Sequence, residues 1–213
     1  MNNNPKILSS CRITDTQLVI NQKDILNNPN LESTEWLSYI YKSIAMNYPK
    51  FFKMDRLSKA GTLAAEILMN EIDCNNNQLK NNWAIACVNQ ASSLDDDIAY
   101  QKTIEADNFF PSPSVFVYTL ANIVTGEIAI KHKILGETSF YIAEKFDANF
   151  LIRTANDIFE ECPNIDHILC GWCEYLDNHC DVLMTIVARE GKETDLKFTE
   201  ENLNNNYKTL WNN

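Results

Sequence analysis

The sequence predicts an α/β protein: a mixed, mostly parallel sheet of about five strands with helices packed on it. Strand-like and helix-like segments alternate along the whole chain, the signature of a layered α/β architecture rather than a helix bundle. At 213 residues and 45% apolar composition the chain can bury one substantial core. No internal repeat or Pro/Gly-rich linker interrupts it, so residues 1–213 are expected to form a single domain.

Each element has its own signal. KILSSCRI (6–13) and QLVI (17–20) are short β-prone runs, closed by the turn signal Asn-Pro-Asn at 28–30. TEWLSYIYKSIAM (34–46) repeats apolar residues at Leu37, Ile40, Tyr41 and Ile44, the spacing of one helix face. A second helix is expected from Asp55, with Leu57, Ala60, Ala64, Ile67, Leu68 and Ile72 on one side. The Asn-rich DCNNNQLKNN (73–82) reads as a loop, WAIACV (83–88) as a buried strand and SLDDDIAYQKTIEA (93–106) as a more polar helix. After the punctuation of Pro111 and Pro113, the spacing of Val117, Leu120, Ala121, Val124 and Ile128 predicts one continuous helix. TSFYIA (138–143) is a strand that runs straight into the helix DANFLIRTANDIFEEC (147–162). IDHILCGW (165–172) and VLMTIVA (182–188) are strands, and FTEENLNNNYKTLW (198–211) is a capped helix carrying Leu203, Tyr207, Leu210 and Trp211.

Bulk charge removes some function classes. A net charge of −11 argues against nucleic acid or an anionic membrane as a partner, because both require a basic face. No apolar run approaches a membrane span, and the opening MNNNPKILSSCRITD lacks the regions of a signal peptide, so a cytoplasmic protein is expected. Seven cysteines scattered through apolar positions fit a reducing compartment better than a disulfide framework.

The chemistry turns on the elbow GETSFYIAEKFDANF, from Gly136 to Phe150. Strand-to-helix elbows hold nucleophiles in several enzyme classes, since the helix N-terminus offers free N–H groups and a positive dipole end. Four segments around it, in order, resemble the N-terminal half of the β-ketoacyl synthases (3-oxoacyl-[acyl-carrier-protein] synthases) of the thiolase-like superfamily. Lys53-Met54-Asp55-Arg56, followed by Ala64-Ala65, is similar to the helix start (R/K)MDR. Asn122, Gly126, Ile128, Ala129 and Ile130 resemble the N-x-x-x-G-x-I-A-I helix that precedes the nucleophile strand. Gly136 resembles the turn glycine of G-P-S, and Cys170-Gly171-Trp172-Cys173-Glu174 the strand A-G-G-x-E, with Trp172 where the second glycine would stand. The resemblance is strongest over residues 50–190 and implies a thiolase-like half.

The resemblance also shows what is missing. It places the nucleophilic cysteine at Lys145, or at Phe146 if the comparison slides by one. Neither can form a thioester, and an amine would trap an acyl group as a stable amide. Glu144 and Asp147 would keep Lys145 protonated. The family's two catalytic histidines lie in its C-terminal half, and His132, His167 and His179 match none of its active-site motifs. No catalytic residue, cofactor or metal is therefore expected.

Other constellations have ordinary readings. Cys170 and Cys173 have redox or zinc-ligand spacing, but three residues apart on a strand they point to opposite faces. Asp95-Asp96-Asp97 reads as a solvated helix start, favoured by the dipole. The polar side of 147–162, with Arg153, Asn156, Asp157, Glu160 and Glu161, is expected to face water, whereas a complete ketosynthase sandwiches this helix between two sheets.

These readings imply a non-catalytic ketosynthase-like accessory protein of a bacterial fatty-acid or polyketide-type pathway. The alternatives are a diverged synthase component active only with a partner chain, or a stand-alone acyl or small-molecule binding module. In the family the strand before the nucleophile is an edge that pairs antiparallel across a two-fold axis. The equivalent strand here begins at Thr138 and ends at Ala143, so a homodimer, or a heterodimer with a catalytic ketosynthase, is expected through it. The competing expectation is that a loop or the C-terminal helix around Trp211 covers this edge.

Overall fold

The computed structural model describes residues 5–74, 78–105 and 107–208. Leu210 and Trp211, to which the sequence assigns a packing role, lie outside these residues. The N-terminal strands are β1 (Lys6–Thr14), β2 (Gln17–Ile20) and β3 (Lys23–Asn27), followed by helices α1 (Ser33–Ser43) and α2 (Arg56–Glu71). Then come β4 (Trp83–Asn89), α3 (Leu94–Gln101), a small hairpin of β5 (Ile104–Glu105) and β6 (Asn108–Phe109), and helices α4 (Pro113–Phe116) and α5 (Ile123–His132). The chain continues through β7 (Thr138–Ile142), α6 (Ala148–Glu161), β8 (His167–Leu176), β9 (His179–Ala188), β10 (Leu196–Lys197) and α7 (Glu200–Lys208).

One sheet runs in the order β3-β2-β1-β9-β8-β4-β7, with β10 paired to β1. The α/β class is as expected, but the sheet has eight strands rather than about five, and it is not mostly parallel. Among the described strands the parallel pairs are β4 with β7 and β4 with β8; every other pair in the sheet is antiparallel. The reason is loop length. Two-residue turns at Asn21-Gln22 and Asp177-Asn178, all four residues at positive φ, join consecutive strands as hairpins. Such turns match the right-handed strand twist, and a parallel crossover needs a far longer connection. The strand β3 had no sequence signal, because its residues are mostly exposed.

Helices cover both faces of the sheet. On one, α2 packs on the sheet with α1 and α5 beside it, and Trp36, Phe51, Leu63, Leu68, Ile85 and Met184 lie in the core. Small residues let α2 approach closely: a Cβ on Gly61 would meet Val124 of α5 at 2.5 Å. On the other face α6 and α7 bury Ala84, Val88, Leu151, Ile168, Trp172 and Leu203. Strand alternation divides β8 between them, with Cys170 on the α6 side and Cys173 on the α2 side. A register shift between Ile7 and Ser9 lets Ile7 serve the α6 core while Cys11 and Ile13 serve the α2 core.

Two helices differ from expectation. The segment 113–132 is broken: α4 and its 3₁₀ extension to Thr119 meet α5 at 98°, and Val117 and Leu120 are exposed instead of continuing a buried stripe. Helix α3 ends at Gln101, because Ile104–Glu105 pairs with Asn108–Phe109. No single described helix is long and apolar enough to cross a membrane.

Candidate functional site at the strand-to-helix elbow

Strand β7 is the edge of the sheet. It pairs in parallel with β4 from Ile85↔Thr138 to Asn89↔Ile142, and nothing among the described residues pairs with its other side. Its start is fixed by Gly136, which passes so close to β4 that a Cβ there would lie 2.1 Å from the Trp83 carbonyl oxygen. That contact is what requires glycine at the turn. At the far end Ala143 N–H donates to Asn89 O (2.8 Å), and the chain turns through Glu144 to Asp147 into α6. The Asp147 side chain caps the helix by accepting from Phe150 N–H (3.1 Å). The elbow and its helix are therefore built as the sequence predicts.

The two candidate nucleophile positions have different surroundings. Lys145 is exposed to solvent. Phe146 turns inward and stacks on Tyr207 of α7, with ring centroids 4.0 Å apart and 7° between planes. Tyr207 Oη donates to Asp181 of β9 (2.7 Å), which also accepts from Trp172 Nε1 (3.2 Å) and pairs with the buried Arg12 of β1. The Arg12 guanidinium lies 4.5 Å from the Tyr207 ring centre, and its Nε donates to the Tyr207 carbonyl (3.2 Å). Burial and the hydrogen bond to Asp181 hold the Tyr207 phenol well above its usual range. Phe146, the alternative nucleophile position, and Trp172, which stands where the second glycine would, thus converge on one cluster. Sequence reasoning found Tyr207 as an apolar helix position and missed Arg12 and Asp181, whose partners are brought together only by the sheet.

The cysteines nearest the elbow on β4 and β8 are buried. Burial pushes the thiols of Cys87 and Cys170 up to about 12, and that of Cys173 well above its usual range. Cys170 and Cys173 sit on opposite sides of the sheet, as their spacing predicts. The histidines are dispersed. His132 is buried at the end of α5, His167 stacks on Trp83 at the start of β8, and exposed His179 contacts Asp15 at 2.8 Å. Among the described residues no group of three or more His, Cys, Asp or Glu could hold a metal ion.

The KMDR-like segment has a structural role that its motif did not disclose. Asp55 caps α2 by accepting from Ser58 N–H (3.0 Å), and its charge acts on the nearby carboxyl of Asp96. Arg56 pairs with Asp95 (2.9 Å) and reaches Asn178 (2.9 Å) at the β8-β9 turn. Asp96 is therefore not the solvated residue expected: it is buried, and desolvation plus the Asp55 charge push it up to about 8. Glu174, in the A-G-G-x-E-like segment, accepts from Gln90 N–H (2.7 Å) and Ala91 N–H (3.0 Å), fixing the loop from β4 to α3.

Comparison with solved structures identifies the class of fold. The chain superposes on the ishigamide ketosynthase/chain length factor with a TM-score of 0.65 at 12% identity, covering 91% of this chain and 64% of that one. It also matches a ketosynthase (ApeO) in complex with its chain length factor (ApeC) from Xenorhabdus doucetiae, with a TM-score of 0.58 at 11% identity over 96% and 90% of the two chains. A third match is to AntDE:AntF, a type II PKS acyl-carrier protein in complex with its ketosynthase bound to the hexaketide. There the TM-score is 0.57 at 11% identity, over 88% of this chain and 63% of that one. The fold is thus that of these ketosynthase and chain length factor structures, and the chain spans less than two thirds of the first and third of these proteins. No protein-family model and no curated protein matches the sequence.

Proposed function

We propose that this protein is a non-catalytic, ketosynthase-like accessory subunit of a fatty-acid or polyketide-type pathway, acting by association with a catalytic ketosynthase. It works as one domain over residues 1–213, in the cytoplasm, without nucleic acid or membrane as partner. The observation that carries this reading is the elbow. The strand, turn and capped helix that would present a nucleophile are intact, yet they present exposed Lys145 and a Phe146 packed under Tyr207.

A working acyl-transfer site needs a thiolate or an activated alcohol beside a base. Here the elbow supplies neither, and the thiols behind it are held protonated by burial. What the elbow does retain is its edge strand, with an unpaired row of backbone N–H and C=O groups that invites a second strand. The named neighbours include a ketosynthase in complex with its chain length factor, which supports association with a ketosynthase for this chain.

Incubation of the purified protein with a radiolabelled acyl-thioester tests the absence of chemistry. No covalent label is expected on Lys145 or on any cysteine. A thioester adduct that turns over would overturn the proposal.

A further inference from the structure

Helix α7 is short and poorly suited to stand alone. Four of its nine residues are asparagine, at 202, 204, 205 and 206, each a weaker helix former than alanine, and a helix of this length does not persist in water by itself. Its order therefore comes from docking. Yet Leu203 is the one apolar side chain that it buries, with Tyr207 half-buried one turn further on, whereas α6 beside it buries Ala148, Leu151, Ala155, Ile158 and Phe159. The remaining ties are polar. Gln22 Nε2 donates to Asn206 Oδ1 (2.8 Å), Arg12 Nε donates to the Tyr207 carbonyl (3.2 Å), and Tyr207 Oη donates to Asp181 (2.7 Å). Asn206 is buried, and its Nδ2 finds no hydrogen-bond partner among the described residues, which weakens the docked state.

Undocking strands no charge. Arg12 keeps its ion pair with Asp181 and its hydrogen bond from Nη1 to the Val182 carbonyl (3.0 Å), and Asp181 keeps Trp172 Nε1 (3.2 Å). A buried charge that loses its partner is what makes such openings costly, and here the pair stays whole. The chain is fixed just before the helix, because Phe198 is buried and its N–H donates to the Pro5 carbonyl (2.8 Å). What α7 covers is the elbow, where Tyr207 lies flat on Phe146. The elbow follows the carboxyl end of β7, which with β8 runs parallel to β4, and open α/β sheets take their ligands outside such carboxyl ends.

We propose that α7 is a lid over the elbow: hinged at Thr199 and pinned by Tyr207, it undocks as one unit while the sheet and α6 stay folded, and so uncovers Phe146 and the Arg12–Asp181 pair. The inference does not rest on the accessory function. Tyr207 is the pin because its ring meets the elbow and its phenol meets β9, so one side chain ties α7 to two elements. The hinge follows from the change at Thr199, where a chain held in the core at Phe198 passes into a helix held mainly by polar contacts. Opening at the weakest-packed element, with the core intact, is the ordinary form of sub-global unfolding.

The test is hydrogen exchange of the purified full-length protein, read by mass spectrometry on peptides from α6, α7, β8 and β9. In wild type the α7 amides should exchange about a hundredfold or more faster than those of α6 and β8. Tyr207→Phe keeps the ring stack and removes the phenol's hydrogen bond, so it should speed exchange in α7 by about fivefold, the effect of one ordinary hydrogen bond, and leave α6 and β8 unchanged. Tyr207→Ala removes the stack as well and should bring α7 close to the rate of an unfolded peptide; should this variant fail to fold, Tyr207→Phe alone decides. Exchange of α7 in step with α6 and β8 in wild type overturns the inference, since α7 would then open only with the whole protein. An α7 rate that Tyr207→Phe does not move, or an acceleration spread equally over all four elements, overturns it too.

Discussion

At the scale of single residues, the ionisable groups that the fold buries decide how stability responds to pH. Asp96, desolvated by burial and facing the Asp55 charge, is pushed up to about 8, above the ordinary carboxyl value that it has in the unfolded chain. The folded state therefore holds a proton that the unfolded state releases. The resulting stability is complete at low pH and is lost as pH rises towards about 8. Wild type should lose thermal stability between about pH 4 and 8 more steeply than Asp96→Asn, which keeps the side-chain shape without the titration. Parallel melting curves across that range would show that the pair carries no linked proton. The thiols give a second expectation: Cys74 and Cys162, half-buried, should react with a thiol reagent in the native state, and buried Cys11, Cys87, Cys170, Cys173 and Cys180 only after denaturation. Rapid native modification of Cys170 or Cys173 would contradict their place in the core. The sequence disclosed the opposite-face arrangement of these two cysteines, because strand alternation is strict. It did not disclose the Asp55 and Asp96 pair, 41 residues apart, because three adjacent acids at a helix start look solvated until another helix terminus covers one of them.

At the scale of elements, two glycines from the ketosynthase-like segments make opposite demands. Gly171 lies in the middle of β8, where a Cβ would come 1.9 Å from the Leu183 carbonyl oxygen on β9. Gly171→Ala should cost about 3 kcal/mol or more, since the obstacle is backbone and cannot rotate away. Gly126 stands on the open side of α5, so Gly126→Ala should stabilise the isolated chain by about 0.5–1 kcal/mol through helix propensity alone. Chemical denaturation of the two variants checks both signs, and a destabilised Gly126→Ala would mean that this position is packed. Elements with strong local signals were legible in the sequence. Asp55 and Asp147 cap their helices, and the alternation in β4 and β8 sorts side chains between two cores. The break between α4 and α5 was not legible, because Val117 and Leu120 continue the helical spacing but face solvent. Their periodicity is that of a surface which has found no cover within this chain. The antiparallel majority of the sheet was legible only through Asn21-Gln22 and Asp177-Asn178, whose turn chemistry outweighs the α/β alternation around them.

At the scale of the whole molecule, the account has two parts: a ketosynthase-like fold, proposed to act without a nucleophile at its elbow, and an edge strand β7 that no described residue pairs on its outer side. Helix α7 bears on both. It packs on α6 and β1, and Tyr207 closes over Phe146, so the described part of α7 covers the elbow rather than the sheet edge. Among the described residues nothing covers the edge, whereas Phe146 of the elbow is covered. The most direct measurement is native mass spectrometry of the tagged protein recovered from its host and incubated with an acyl-thioester. The account predicts a one-to-one complex with a ketosynthase in which the acyl group is carried by the partner and none by this chain. An acyl group on Lys145 or on a cysteine of this chain, or recovery of this chain as a bare monomer, would contradict it.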